Sequence, residues 1–235
     1  MPSDAPTIKV QNTRDYGAEI ISYDRATESR EEIGRDIARD RGAIVVPSYD
    51  DPHIIGGQGT VGLEIVQQCD QISVVPDAVL VCCGGGGLSA GMATAVKGKY
   101  PATSIYCVEP VGFDDYARSL RSGRREQIAP DFYSFCDALL APTPGELTFS
   151  INSSLLTGGL VVSDDEVAEA MRFAFATLKL VVEPGGAVAL AAALSGKINV
   201  RDKSVCVVLS GGNVDPELYS KTINCEQPAT IATQL

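Results

Sequence analysis

The sequence predicts an α/β protein in which an open parallel sheet is flanked by helices. Short apolar segments rich in β-branched residues alternate with segments of helical character, which is the pattern of parallel strands joined by helices. The apolar segments are nearly continuous, as expected for strands buried on both faces. One of them, residues 79–83, continues directly into four glycines and a further helical stretch.

The elements follow one another along most of the chain. Strands are predicted at residues 18–22, 43–46, 78–82, 104–108 and 204–209. Helices are predicted at residues 25–40, 60–68, 88–97, 163–178 and 187–194. Ser163, followed by Asp165 and Glu166, has the composition of a helix N-terminus. Proline, serine, tyrosine and aspartate between Pro47 and Pro52 interrupt the pattern, so we place a domain boundary there.

Composition excludes several classes of protein. The chain has 235 residues, of which 45% are hydrophobic, so it can bury a core. Its net charge of −11 disfavours nucleic acid and anionic membranes as partners. We find no signal peptide and no apolar segment long enough to cross a bilayer. Seven cysteines without a C-x-x-C pair favour a reduced, cytoplasmic protein. His53 is the one histidine, which excludes a multi-histidine metal site.

The strongest local signal is the glycine stretch at residues 84–87. Without Cβ atoms, backbone N–H groups can converge on an anion, and the start of the next helix adds a favourable dipole. No Lys-Ser or Lys-Thr follows, which argues against a nucleotide-binding P-loop. A dinucleotide-binding loop remains open, although no acid follows a suitable second strand. We interpret the stretch as a phosphate site, with a merely tight turn as the alternative.

Two single residues stand next to glycine turns. Ser210 follows a predicted strand, and open α/β sheets gather their ligands at the carboxyl ends of strands. Glu183 precedes a Pro-Gly-Gly turn that begins an alanine-rich helix. Taken alone, each has an ordinary interpretation, as a helix-capping serine and as a solvated loop acid.

A third group of residues follows the predicted strand at 104–108. The acids of the turn at residues 109–115 lie at a spacing that lets carboxylates share a hard cation with a backbone carbonyl and water. Surface acids near a loop are more often simply solvated, so this motif is weak by itself.

In this order the motifs resemble the fold-type II pyridoxal-phosphate (PLP) enzymes, specifically the serine/threonine dehydratases and serine racemases. Further stretches that carry the resemblance are residues 56–65, 144–149 and 179–184, with Lys9, Thr13, Arg14, Tyr16, Gly17 and Ala18. It extends to about Asp215. The resemblance implies a tryptophan synthase β-like architecture that lacks its N-terminal part. Residues 1–48 would be the remainder of a small α/β domain, and residues 49–235 an incomplete large PLP-binding domain.

The resemblance also implies roles for individual residues. The PLP phosphate would be held by Gly84, Gly85, Gly86, Gly87 and Leu88. Ser210 would hydrogen-bond the pyridine nitrogen, and Glu183, the predicted catalytic residue of this chain, would help to tune or position the ring. A neutral hydroxyl leaves that nitrogen largely unprotonated, which suits β-elimination better than a long-lived carbanion. Glu109, Asp115 and the carbonyl of Phe113 match a magnesium or calcium site of racemase-like members.

The Schiff-base lysine of the family has no counterpart in this chain. Family members carry it in an S-x-K-x-R-G-A stretch, and an S-S-G-N-H-G loop binds the substrate carboxylate; neither stretch occurs here. None of the seven lysines has that context, namely Lys9, Lys97, Lys99, Lys179, Lys197, Lys203 and Lys221. We expect the chain alone to be inactive. Three explanations of the missing lysine are open: the gene start is misassigned, the chain is truncated, or a second polypeptide completes it. We favour an incomplete sequence of a full-length enzyme.

The implied reaction is β-elimination of L-serine, L-threonine or a related hydroxy amino acid to a 2-oxo acid and ammonia. Serine racemase and 3-hydroxyaspartate dehydratase are alternatives on the same scaffold. A non-catalytic PLP- or phosphate-ligand-binding subunit is an alternative of another class. Because family members are usually dimers or tetramers, we expect a homo-oligomer, most simply a dimer. The short stretch after Ser210 leads us to expect a catabolic role without a C-terminal regulatory domain.

Overall fold

The computed structural model describes residues 1–25, 27–129 and 132–224. The first part contains α1 (Thr7–Asp15), α2 (Arg30–Arg41) and α3 (Pro52–Gln71). Strands and helices then alternate as β1 (Ala78–Cys82), α4 (Gly87–Lys99), β2 (Ser104–Pro110), α5 (Asp115–Ser122), α6 (Glu146–Leu155), β3 (Gly158–Val162), α7 (Asp164–Phe173), α8 (Pro184–Leu194), β4 (Val205–Val207) and α9 (Pro216–Asn224). A 3₁₀ turn at Asp137–Leu139 precedes α6, and a π-helical turn at Ala174–Leu178 extends α7.

The strands form one sheet in the order β3-β2-β1-β4, and all pairs are parallel. Ala78 of the central β1 lies opposite Ser104 on one side and Val205 on the other. Every residue of β1 is buried, as its uninterrupted apolar sequence predicts. The predicted α/β class, a parallel sheet flanked by helices, is therefore confirmed.

Helices cover the sheet through unusually small contact residues. The alanine- and glycine-rich α8 is buried along almost its whole length, so it forms part of the hydrophobic core. On the other face α3 and α4 approach closely. A Cβ at Gly62 would overlap the backbone of Met92, and a Cβ at Gly91 would overlap the carbonyl of Ile55. Gly62 of α3 and Gly91 of α4 thus permit close packing of the two helices.

The strands predicted at residues 18–22 and 43–46 are wrong. Neither segment joins a sheet in the described residues, and the pairing nearby is an isolated bridge between Pro2 and Tyr23. Ile44 is 91% exposed and Val46 is 71% exposed. β-branched residues form a strand only where neighbours supply hydrogen bonds and a surface to pack on. Residues 18–22 gain one such bond, from the amino group of Met1 to the carbonyl of Ile21 at 2.6 Å, and no strand of the sheet in the described residues pairs with either segment.

Several helices begin and end elsewhere than predicted, or were not predicted. α3 begins at Pro52 instead of residue 60 because the Asp51 carboxylate caps it and proline suits its first turn. The start of α7 is as predicted, with a reciprocal capping box between Ser163 and Glu166. The strand β3 and the helices α1, α5, α6 and α9 were not predicted from the sequence. None of the helices within the described residues is long and apolar enough to span a membrane.

α1 contacts the part of the chain that carries the sheet. The Asp215 carboxylate, which directly precedes α9, accepts the backbone N–H groups of Thr7 at 3.1 Å and Ile8 at 2.8 Å. It thereby pairs two of the N–H groups that a helix start leaves without an internal partner. The predicted division at residues 48 and 49 stays a prediction.

Candidate functional site

The loop between β1 and α4 is held on its carbonyl side by α6. The carbonyl of Gly85 accepts from the Thr148 hydroxyl at 2.6 Å, and that of Gly86 accepts from the Asn152 side-chain amide at 3.2 Å. Gly86 has a φ of 95°, and a Cβ there would overlap the Tyr116 hydroxyl. Glycine is the residue that satisfies both the backbone angle and the limited space.

The N–H side of the same loop is open. No backbone N–H group of residues 84–89 donates to an acceptor within the described residues. These groups surround the start of α4, where the helix dipole favours negative charge. Most of the loop is buried, and buried N–H groups are normally paired. The arrangement therefore fits an anion such as the predicted phosphate.

Tyr49 lies against the glycine loop and Asp50 against the start of α6, and neither is among the predicted site residues. A Cβ at Gly85 would overlap the Tyr49 ring, so the ring lies directly on the loop. The Asp50 carboxylate accepts two N–H groups from the start of α6, at 2.9 and 3.0 Å. In the sequence, residues 47–52 indicated only an interruption of the pattern and a domain boundary. Their concentration of turn residues is the signal that could have identified them.

Ser210 lies beside the end of β1, as its position after a strand predicts. Its hydroxyl oxygen is 3.1 Å from the sulfur of Cys82, the last residue of β1. The pairing of the two strands continues past β4, because the N–H of Val208 donates to the carbonyl of Leu80 at 3.0 Å. Ser210 is exposed, whereas Cys82 is buried. The Ser210 hydroxyl therefore contacts the buried Cys82 and is also accessible from the open side of the site.

Glu183 lies next to this serine. Its backbone N–H donates to the carbonyl of Gly211 at 2.9 Å, and a Cβ at Gly211 would overlap its carboxylate. Glu183 is 9% exposed. The structure thus brings the predicted residues Ser210 and Glu183 together, and Cys82 joins them to the glycine loop.

Lys9 reaches into the same cluster from α1. Its ammonium nitrogen lies 2.8 Å from an oxygen of Glu183 and 2.8 Å from an oxygen of Asp137. Burial disfavours the charged form of Lys9, but the two carboxylates outweigh burial and raise its pKa. Lys9 is therefore an ammonium ion at neutral pH, and a protonated amine is a poor nucleophile.

The other six lysines lie away from these residues. Five of them contact acids or carbonyls elsewhere, namely Asp70 for Lys99, Glu166 for Lys197, Glu217 for Lys221, Pro101 for Lys97 and Ala176 for Lys179. Lys203 is exposed. Within the described residues, Lys9 is the lysine that approaches the cluster of Ser210 and Glu183.

Glu109 is buried at the end of β2, and both of its carboxylate oxygens are engaged. They accept the backbone N–H groups of Tyr116 at 2.9 Å and Ala117 at 2.7 Å, which caps α5. Burial raises the pKa of Glu109 well above its usual value. Burial also raises the pKa of Asp115 to about 7. One buried oxygen of Asp115 has no hydrogen-bond partner among the described residues.

This arrangement fits a metal ion poorly. The oxygens of Glu109 are used by the helix, and the described residues contain no cluster of three or more His, Cys, Asp or Glu side chains that could hold a metal. Phe113 is buried nearby, and its N–H donates to the carbonyl of Pro110 at 3.1 Å. The magnesium or calcium ion predicted from the resemblance finds no support here and stays a prediction.

A cavity of about 260 Å³ opens beside the cluster. Its lining combines apolar side chains with the charged and polar side chains of Asp4, Arg25, Asp137, Asn213 and Asp215. Arg25 is paired with Asp4 at 2.9 Å. The cavity reaches the cluster through Asp137, which pairs with Lys9, and through Pro184, which follows Glu183.

Comparison with known proteins gives a consistent result. The family described as pyridoxal-phosphate dependent enzyme matches residues 1–211. The chain is 37% identical over 220 residues to serine racemase from Schizosaccharomyces pombe, which covers 94% of this chain and 67% of that protein. It is 40% identical over 224 residues to L-threo-3-hydroxyaspartate ammonia-lyase from Saccharomyces cerevisiae, with 95% and 67% covered.

Solved structures agree with the sequence relatives. The structure of maize serine racemase has a TM-score of 0.84 and 35% identity, over 94% of this chain and 67% of that one. The chain therefore spans about two thirds of the length of each of these three proteins.

Proposed function

The chain belongs to the family of pyridoxal-phosphate dependent enzymes, and we propose that it forms the cofactor-binding scaffold of an ammonia-lyase for hydroxy amino acids. The expected substrates are L-serine, L-threonine or a close relative, and the products a 2-oxo acid and ammonia. The observation that carries the proposal is the glycine loop, whose buried N–H groups at residues 84–89 have no acceptor in the described residues.

The described residues fit PLP at both ends of that molecule. The N–H groups of the glycine loop and the start of α4 would hold the phosphate. Ser210 offers a hydroxyl at the end of β4 for the pyridine nitrogen, and Glu183 places a carboxylate beside it. When bound, PLP supplies the electron sink that lets an amino acid lose its α-proton.

The side chains of this chain would set the properties of the site. A serine hydroxyl is a neutral donor and would not protonate a pyridine nitrogen as an acid does. That limits the charge the ring can accept, and favours a reaction in which the electron pair leaves with the β-hydroxyl. Tyr49 would cover the phosphate end, and the Lys9–Glu183 ion pair would hold the carboxylate in place.

We further propose that none of the seven lysines bonds covalently to the cofactor. Lys9 approaches the site, but two carboxylates keep it protonated. The other six lie in contacts elsewhere or are exposed. The 235-residue chain would then bind PLP without a covalent bond and would not turn over substrate by itself.

Serine racemization and deamination of 3-hydroxyaspartate are the competing activities. They are favoured by the relatives named serine racemase and L-threo-3-hydroxyaspartate ammonia-lyase. All three reactions begin with loss of the α-proton, so the scaffold described here serves each of them. A comparison of L-serine, L-threonine and L-threo-3-hydroxyaspartate as substrates distinguishes the activities.

The first experiment is a PLP titration of the purified chain, followed by absorbance, then borohydride reduction and intact-mass measurement. We expect saturable binding and no stoichiometric adduct after reduction. Gly86→Ala should abolish the binding because the new Cβ overlaps Tyr116. Gly98→Ala, in the helix α4 that follows Gly86 and with open space around it, is the matched control and should bind PLP normally.

The outcomes separate the parts of the proposal. A single reduced adduct on one lysine would contradict the non-covalent binding. PLP binding that is absent, or equal in the Gly86→Ala variant, would contradict the cofactor site itself. Ammonia release that appears only after the unmatched part of the S. cerevisiae relative is added as a separate polypeptide would support both the scaffold and the missing lysine.

The assembly state and the location of the protein are also proposals. We propose a homo-oligomer, most simply a dimer, which size-exclusion chromatography with light scattering tests directly. A cytoplasmic location is consistent with the free thiols of the described residues, Cys69, Cys82, Cys83, Cys107, Cys136 and Cys206. Cys225 lies outside the described residues.

A further inference from the structure

Cys82 and Ser210 form a contact between two neighbouring strands at the edge of the proposed cofactor site. Their side-chain atoms are 3.1 Å apart, and either atom can be the donor. Cys82 is buried at the end of β1, while Ser210 is exposed at the open side. Within the described residues, the hydroxyl of Ser210 has no other hydrogen-bond partner.

The direction of this hydrogen bond decides what Ser210 can do. A hydroxyl carries one proton and two lone pairs, whereas a thiol is a weak donor and a weak acceptor. If the thiol donates to the serine oxygen, the hydroxyl proton remains available for an acceptor in the open site. If the hydroxyl donates to sulfur, that proton is used within the protein.

The surroundings keep the thiol protonated. Burial raises the pKa of Cys82, and the nearby carboxylate of Glu183 adds to the rise. A thiolate would accept the serine proton and would leave nothing for a ligand. A protonated thiol allows either direction of the hydrogen bond. A ligand acceptor such as an unprotonated pyridine nitrogen then favours the direction in which the thiol donates to Ser210 and the Ser210 hydroxyl donates to the ligand.

We propose that Cys82 is a positioning residue, whose S–H group donates to Ser210 and thereby holds the serine hydroxyl as a donor toward the pyridine nitrogen of PLP. The inference rests on the proposed function, because that function supplies the acceptor. It adds a residue that the sequence analysis treated only as part of a core strand. The glycine loop that follows Cys82 directly links this contact to the phosphate end of the site.

The first test observes the contact directly, in the PLP-bound chain and without an activity measurement. The infrared S–H stretching band of Cys82 is isolated as the difference between the unaltered chain and Cys82→Ala. We expect a band shifted to lower frequency by hydrogen bonding, which moves toward the free-thiol position in Ser210→Ala. A free-thiol band in the unaltered chain, or a band unchanged by Ser210→Ala, would overturn the proposal.

The second test measures PLP binding and the absorbance spectrum of bound PLP. Loss of one hydrogen bond in Cys82→Ala should weaken binding about threefold to tenfold and shift the spectrum. Cys82→Ser keeps a donor of similar size and should restore both. Cys206→Ala removes a thiol from β4 that has no serine partner among the described residues, and should change neither.

The two proposals fail in different ways. If the unaltered chain binds PLP and Cys82→Ala binds it equally with the same spectrum, the role of Cys82 is wrong and the proposed function stands. If the unaltered chain does not bind PLP, both are wrong. Circular dichroism of each variant establishes that a loss of binding does not come from unfolding, and the serine variant provides a second reading if the alanine variant does not fold.

Discussion

Lys9 forms an ion pair with Glu183, at 2.8 Å, across 174 positions of the chain. The pair joins α1 to the start of α8, and Asp137 adds a second carboxylate at 2.8 Å. The side chains are largely buried, at 20% exposure for Lys9 and 11% for Glu183. Lys9, which is not among the predicted site residues, therefore neutralises the Glu183 carboxylate beside the proposed cofactor ring.

Lys9→Met should destabilise the chain by leaving two acids without their cation. Removing one partner of a fully buried ion pair would destabilise a protein more than this. Because Lys9 and Glu183 are partly exposed, we expect the free energy of unfolding to fall by about 1–3 kcal/mol. Urea denaturation measures it. Lys99→Met removes an exposed pair with Asp70 and should cost less than about 1 kcal/mol. Equal effects of the two substitutions would contradict a special role for the Lys9 pair.

The stability of the chain should fall as pH rises from about 4 to 7. Burial raises the pKa of Asp115 from 3.8 to about 7, so the folded state retains a proton that the unfolded state has lost. Folding is then favoured at low pH, and the advantage is gone once the pH exceeds the folded value. Asp115→Asn should reduce this dependence and raise the unfolding free energy at pH 8 by about 2–4 kcal/mol.

The same variant tests the predicted cation. Magnesium or calcium bound at Asp115 would favour the ionised carboxylate, and would therefore raise the melting temperature of the unaltered chain at pH 8 but not that of Asp115→Asn. We expect no such shift, because the oxygens of Glu109 already accept N–H groups of α5. A shift that depends on Asp115 would establish the cation site.

Gly86→Ala should lower stability as well as cofactor binding. Its φ of 95° is strained for any residue with a Cβ, and the added atom overlaps Tyr116. A loss of about 1–3 kcal/mol is expected in thermal or urea unfolding. Gly98→Ala, inside the helix α4 that follows Gly86, should instead be neutral or stabilising by up to about 1 kcal/mol. A stable Gly86→Ala variant would mean that the loop adopts another conformation in solution.

The features predicted correctly depend on short stretches of sequence. The unbroken apolar run of β1 and the glycines after it determine a buried strand and a turn, whatever lies around them. The position of Ser210 at a strand end follows from the same reasoning. The resemblance to PLP enzymes then added the roles that spacing alone could not assign.

The features that were missed depend on distant parts of the chain. Nothing near Lys9 in the sequence indicates that Glu183 and Asp137 lie beside it. Tyr49 touches the glycine loop only because α3 and α6 bring the two together. The strand β3 begins with two glycines, which weaken a strand, and pairing with β2 forms it nonetheless. Such contacts follow from packing and not from local composition.

Ile44→Thr and Val46→Thr should leave stability almost unchanged. The two side chains are 91% and 71% exposed, so their replacement removes little buried apolar surface, and we expect changes within about 0.5 kcal/mol. Val79→Ala in β1, where the side chain is fully buried, should cost about 1–3 kcal/mol. Urea denaturation of the three variants makes the comparison.

The comparison also decides why the strand predicted at residues 43–46 does not form. If Ile44→Thr costs as much as Val79→Ala, the segment is packed against a neighbour in solution, and the strand exists there. If it costs nothing, the apolar run lacks a partner, and a β-branched sequence without a neighbouring strand stays extended and exposed. The second outcome is the one the described contacts support, and it would also make the two threonine variants more soluble, since exposed apolar runs promote association.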